Sequence, residues 1–288
     1  MHRFWDSAVR PLLEARSPKT IVEVGAAKGE NTRLLAAWAA EHDALVHVVD
    51  PKPKFDVDAY TREWAGHLEM HLDLSLPALP AIGPVDTVLL DGDHNWYTML
   101  GELREIDRVN EGWPLVIMHD VGWPYGRRDM YYAPETVPAE HRQPCRRAGI
   151  QPFRSALAAH GKNEHLFNAE HEGGPRNGVL TAVEDFLSQT DRELLLFAGP
   201  GIGGLGIIAG AAALAQNAKL TSAVAQVHDP QFAVGISPVF ATREFPPGTG
   251  EEAGAVRAEP PVVRWRSVKR LRDAQWRMRR ALRSAGRP

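Results

Sequence analysis

Two short acidic stretches carry the residue types best suited to chemistry. Asp91-Gly92-Asp93-His94 and His119-Asp120 each close a run of apolar and β-branched residues, at 85–90 and 115–118. Neighbouring parallel strands lie about 4.8 Å apart, so side chains at their ends converge on one point. Oxygen donors without cysteine suit Mg²⁺ or another hard divalent cation. The expected metal ligands are Asp91, His119 and Asp120. Activating a substrate hydroxyl needs one group to lower its pKa and another to take its proton. His94, three residues past Asp91, is placed to take the proton, with Asp91 as its catalytic partner.

A second constellation opens earlier. Glu23-Val24-Gly25-Ala26-Ala27-Lys28-Gly29 sets an acid inside a strand and then two glycines four apart. Small residues at a strand-to-helix turn let the backbone approach a nucleotide-like ligand. The dinucleotide fingerprint Gly-x-Gly-x-x-Gly is not met, since position 27 is alanine and the acid precedes the turn. Glu23 would repel a pyrophosphate and suits a cationic or amino-bearing ligand. Asp50, closing the next strand, suits the two hydroxyls of a ribose. S-adenosylmethionine (SAM) presents an amino acid end, a sulfonium and a ribose, so each carboxylate finds a partner. The expected cofactor-binding set is Glu23, Gly25, Ala27, Gly29, Asn31, Thr32, Asp50 and Asp91, with Asp73 and Ser75 as adenine contacts. A later run, Gly201-Ile202-Gly203-Gly204-Leu205-Gly206, does match the dinucleotide spacing. The acid that should end the next strand has only Asp229 as a candidate, after an alanine-rich helical stretch. These glycines read as the turn of a closing hairpin, and an NAD-dependent oxidoreductase using them is the alternative.

The elements that must position these residues follow from periodicity. Strands are expected at 20–24, 45–50, 68–72, 85–91 and 115–120, with helices at 7–16, 31–40 and 97–109. Alternating strands and helices imply a parallel sheet covered on both faces, with ligands outside the carboxyl ends of the strands. Those ends carry Gly25, Asp50, Asp73, Asp91 and Asp120. A helix at 179–187 and a strand at 193–197 follow, then Ile207-Ile208 after the glycines.

With these motifs in view, the first 120 residues resemble the class I SAM-dependent methyltransferases. The Asp-Gly-Asp-His segment with His-Asp is similar to the metal-dependent branch that includes macrolide-sugar O-methyltransferases. The resemblance implies an α/β, Rossmann-like, doubly wound sheet, mostly parallel with a C-terminal antiparallel hairpin and helices on both faces. It also implies a metal ligand at Asp91, a catalytic histidine at His94 and further ligands at His119 and Asp120. The chain departs from that branch in placing histidine, a poor Mg²⁺ ligand, first in the second pair. Mg²⁺, Mn²⁺, Fe²⁺ and a metal-free site therefore all stay open. The implied reaction is methyl transfer to a small hydroxylated substrate such as a sugar, glycoside or other natural product. A non-catalytic SAM-binding module is a further alternative.

Residues 122–174 lack periodicity and read as a lid or substrate-binding insertion. Trp123, Tyr125, Arg127, Arg128 and Tyr131 are the expected substrate contacts, since aromatics beside arginines suit a polar, ring-bearing molecule. The alternative is a structured lid whose arginines pair with its own acids. A methyltransferase domain is expected over 1–245 and a Gly/Pro/Glu-rich linker over 246–261. A basic amphipathic helix is expected over 262–288, with ten basic residues between 264 and 287. Homodimerisation is its first expected use. A net charge of −3 argues against a nucleic-acid partner. No run approaches 18 apolar residues, so no transmembrane segment is expected, and the start lacks a secretory h-region. The single cysteine, Cys145, reads as an incidental loop residue and excludes an intrachain disulfide. A cytoplasmic location is expected.

Overall fold

The computed structural model describes residues 1–199 and 201–228. The expected linker, the basic C-terminal segment, the homodimer it was to form and Asp229 lie outside the described residues.

Five strands come first: β1 (Thr20–Val24), β2 (Leu45–Val49), β3 (Leu68–His71), β4 (Thr87–Leu90) and β5 (Leu115–His119). Three short ones follow in the insertion: β6 (Met130–Tyr131), β7 (Cys145–Arg147) and β8 (Phe167–Ala169). The last two are β9 (Leu194–Ala198) and β10 (Leu205–Gly210). The main sheet runs β3-β2-β1-β4-β5-β10-β9. Its first five strands are parallel, and β10 is antiparallel to both β5 and β9. This is the α/β, Rossmann-like, doubly wound architecture with a closing antiparallel hairpin.

Alternation along each parallel strand sends residues to two cores. Ile21, Val46, Val48, Leu89 and Ile117 face one core with α1 (Arg10–Arg16), α2 (Glu30–His42) and the helix at 218–228. Val22, Val49, Val88, Leu90, Val116 and Met118 face the other, with residues of the helices at 75–82, 96–109 and 179–189. In chain order the remaining helices are α3 (Val57–Glu63), α4 (Ser75–Ile82), α5 (Trp96–Val109), α6 (Val179–Gln189), α7 (Ala211–Gln216) and α8 (Ala218–His228).

Two helices carry weak sequence signals. Asp56 caps α3 by accepting from the Ala59 amide at 2.9 Å. In α4, Pro77 falls in the first turn and sacrifices no helical bond, whereas Pro80 lies inside the helix. Burial of Ala78 and Leu79 against the sheet overrides that defect. The expected lead-in helix at 7–16 begins earlier, as a 3-10 turn (His2–Phe4) and a π-helical turn (Trp5–Val9) running into α1.

Segment 122–174 is a folded unit. Strands β6, β8 and β7 form an antiparallel sheet, and Tyr125, Met130, Ala148, Ile150 and Leu157 make a small core of their own.

Candidate active site

The sheet order reverses between β1 and β4, and the crevice beyond their carboxyl ends is where ligands bind in open α/β sheets. Both sides of it are fixed by the backbone. Gly25 has φ +88°, and a Cβ there would lie 2.3 Å from the Asp91 carbonyl oxygen. Only glycine permits that approach, which brings the turn after β1 against the end of β4.

Glu23 is buried, with 1% of its surface exposed. Its two oxygens accept from Asn31 Nδ2 at 2.8 Å and Thr32 Oγ1 at 2.6 Å, both on the first turn of α2. Burial raises its pKa to about 7 against the lowering effect of those bonds. Asn31 and Thr32 thus orient the acid. Asp50 accepts from the amides of Ala26 at 3.0 Å, Ala27 at 2.9 Å and Lys52 at 2.8 Å. It fastens the glycine-containing turn to the end of β2. Gly29 approaches Phe55 and Tyr60 closely, with φ +77°. Asp73 is exposed, and Ser75 starts α4, where it bonds the buried Glu102.

At the ends of β4 and β5 the acidic residues and histidines come together. His119 Nδ1 lies 2.7 Å from Asp120 Oδ2 and 3.2 Å from Asp91 Oδ1. Burial alone would lower the His119 pKa, but Asp120 and Asp91 outweigh it and raise it to about 10. His119 is therefore a cation between two carboxylates. His94 Nδ1 lies 3.5 Å from Asp120 Oδ2, and its ring stacks on Tyr125 at 5.5 Å and 3°. Asp91, His94 and Asp120 offer ligand atoms within 4.8 Å of one another. His94 thus lies beside the two acids as well as His119, the histidine to which the sequence pointed as a ligand. Burial pushes Asp91 up, yet the Met1 ammonium and His119 hold it well below the usual carboxylate range. Asp120 adopts φ +60°, a left-handed conformation costly for a residue with a side chain and typical of functional sites.

The α-ammonium of Met1 donates to Asp91 Oδ2 at 2.6 Å and also acts on Glu23 through space. Phe4 meets the edge of His119 at 5.6 Å. Sequence reasoning passed over both residues, which precede the helix expected at 7–16.

The expected substrate residues divide. Tyr125 is buried against His94, and its hydroxyl accepts from Asn163 at 2.6 Å. Trp123 lies between the β5 end and the glycine turn, where its carbonyl accepts from the Gly203 amide at 2.8 Å. Arg127 makes a two-pronged pair with Glu184 at 2.5 and 2.6 Å. Arg128 is fully buried and donates to the carbonyls of Ala169 and Ser155. Tyr131 is buried and donates to Asp129 at 2.6 Å. Arg127, Arg128 and Tyr131 therefore hold the insertion together. Tyr132, the next residue along, is 56% exposed and lies 6.1 Å from the His94 ring. Burial of its hydroxyl and the nearby Asp91 and Asp120 keep it protonated. Inward–outward alternation along 131–132 was the signal for it.

Residues 201–204 lie between two antiparallel strands and open no helix, which removes the physical basis of an NAD site there. The turn packs on the loop after β5, with the Gly122 amide donating to Gly203 O at 2.9 Å. Burial raises the pKa of Cys145, with Arg142 opposing, so the thiol is not activated.

Among the described residues no helix is long and apolar enough to cross a membrane. No family model matches the chain, and no curated protein matches it in sequence. Solved structures resemble it in outline. An SAH-bound methyltransferase of Podospora anserina has a TM-score of 0.44 and 16% identity over 73% of this chain and 86% of that one. The 1,6-didemethyltoxoflavin-N1-methyltransferase of Burkholderia thailandensis, with its substrate and S-adenosylhomocysteine, has a TM-score of 0.39 and 13% identity over 72% and 80%. Likeness of this order says nothing about what this chain binds.

Proposed function

We propose that the chain is a SAM-dependent methyltransferase that modifies a hydroxyl of a small molecule, such as a sugar, glycoside or other natural product. The observation that carries this reading is a juxtaposition. The glycine turn after β1 abuts Asp91, and Asp91, His94 and Asp120 gather beside it at the switch point of the sheet. The crevice fits the cofactor, because Glu23 and Asp91 lie within electrostatic reach of each other and offer two carboxylates to the ammonium that SAM carries at its amino acid end. SAM would supply an electrophilic methyl group.

The chain's own residues do the rest. Glu23, kept in place by Asn31 and Thr32, and Asp91 would receive the cofactor's ammonium. Asp50 shapes the turn and retains lone pairs for a ribose. His94 would take the substrate's proton, with Asp120 balancing the charge that forms. Tyr132 and Trp123 would line the acceptor.

Asp91 and Asp120, with His94 nearby, also suit a divalent cation, which would lower the pKa of the substrate hydroxyl. A metal-free site has its own support, since the His119 cation already offsets one of the two carboxylate charges. Turnover that survives exhaustive chelation would decide for the metal-free form. The base assignment is tested by His94→Ala. Turnover should fall about 100-fold or more with SAM affinity retained, and unchanged turnover would remove His94 from the reaction. SAM binding without methyl transfer to any of a broad panel of acceptors would favour a binding module.

A further inference from the structure

The far edge of the sheet carries a cluster that the crevice does not use. In the parallel register of β2 and β3, His47 lies opposite Glu69 and Val49 opposite His71. Alternation puts His47, Glu69 and His71 on the same face as Val49, the face covered by α4 and α5. His47 Nδ1 lies 3.1 Å from His71 Nε2 and 3.3 Å from Glu69 Oε2. All three residues offer ligand atoms within 4.8 Å of one another.

The placement is unusual for a strand. His47 interrupts the apolar run Leu45-Val46-His47-Val48-Val49 and follows Val22 of β1 across the sheet. Two facing imidazole nitrogens can share only one hydrogen, and the carboxylate beside them competes for it. One divalent ion would serve all three acceptors at once. Four ligands placed tetrahedrally at about 2.0–2.1 Å from an ion are about 3.3 Å apart. Both measured separations match that spacing without rearrangement. Two imidazoles and a carboxylate form a donor set for zinc rather than for magnesium or calcium. Access is open, since the Glu69 side chain is 58% exposed and that of His47 13%.

We propose that His47, Glu69 and His71 form a zinc site at the sheet edge, with water completing the coordination. Zinc there ties β3 to β2 at an edge that, among the described residues, no further strand covers. None of its three residues is among those given to the cofactor or the substrate, although the His71 carbonyl accepts from the Asp50 amide at 3.1 Å, so it does not depend on whether the chain transfers methyl groups.

The full chain, stripped with a chelator and exchanged into metal-free buffer, is titrated calorimetrically with zinc chloride. Wild type should show a zinc equivalent whose affinity falls about 100-fold or more in His71→Ala. Glu69→Gln should weaken it to a lesser degree, and Asp120→Asn, in the crevice, should leave it in place. Glu69 is exposed, so that variant keeps the test decisive should His71→Ala fail to fold. Cobalt added to wild type should give a visible spectrum that His71→Ala loses and Glu69→Gln diminishes. No zinc binding by wild type, edge variants that titrate like wild type, or loss of all binding in Asp120→Asn would each overturn the proposal.

Discussion

The two walls of the crevice differ in what fixes their side chains, although both use contacts far apart in the chain, such as Ala26 with Asp50. On the strand-end wall, Glu23 is fixed by Asn31 and Thr32, eight and nine residues on, and His119 by its neighbour Asp120. On the insertion wall, Tyr125 bonds Asn168, Arg127 bonds Glu184 and Arg128 bonds Ala169, at separations of 43, 57 and 41 residues. The first wall is a by-product of strand ends meeting in a parallel sheet. The second is a polar network that must assemble as a unit, and its members support one another more than they face a ligand.

Substitutions can break this contrast. The largest effect is expected for Gly25→Ala, which forces a Cβ to 2.3 Å from a backbone oxygen at φ +88°. A loss on the order of 5 kcal/mol in denaturant unfolding is expected, with SAM binding abolished. A mild effect would mean that the turn after β1 does not press on Asp91.

Next comes Glu102 of α5, buried beneath Ser75. Burial raises its pKa from 4.5 to about 8, against the lowering effect of the Ser75 bond, and Asp93 adds to the rise. A carboxyl whose folded pKa lies above its unfolded value stabilises the fold below the unfolded pKa. That contribution is lost as pH climbs from 4.5 towards 8. Glu102→Gln, a permanent mimic of the protonated acid, should melt like wild type near pH 4. By pH 8 it should be more stable by up to about 4 kcal/mol. Parallel melting curves at both pH values would show that Glu102 does not resist ionisation.

The insertion wall is probed by Asp129→Ala. Asp129 accepts from the Trp96 amide at 2.8 Å, the Gly178 amide at 2.6 Å and the Tyr131 hydroxyl at 2.6 Å. Stranding these buried donors should cost roughly 3 kcal/mol. Limited proteolysis should speed within 122–178 while SAM affinity stays near wild type. Equal loss of both would mean that the two walls form one cooperative unit.

The same contrast explains what could be read in the residues. Strands β1, β2, β4 and β5 were legible because apolar runs rich in β-branched residues end in Gly25, Asp50, Asp91 and Asp120, whereas β3 has no β-branched residue and was read from its place in the alternation. The closing hairpin was legible from its glycines, despite their dinucleotide-like spacing. Helix α4 was hidden by Pro77 and Pro80, whose penalties burial overrides. The site came through as a set of residues more clearly than as a set of partners. Asp91, His94, His119 and Asp120 do converge, yet which histidine faces which carboxylate depends on loop geometry such as φ +60° at Asp120. In the insertion, residue type suggested substrate contacts, whereas the partners of Arg127 and Arg128 lie too far along the chain for spacing to reveal.

The central claim is that the crevice between β1 and β4 receives SAM, and calorimetry on the full chain tests it most directly. Titration with SAM and with S-adenosylhomocysteine should each give one binding site, while NAD gives none. Absence of heat with both adenosyl ligands, or saturable binding of NAD instead, would contradict it.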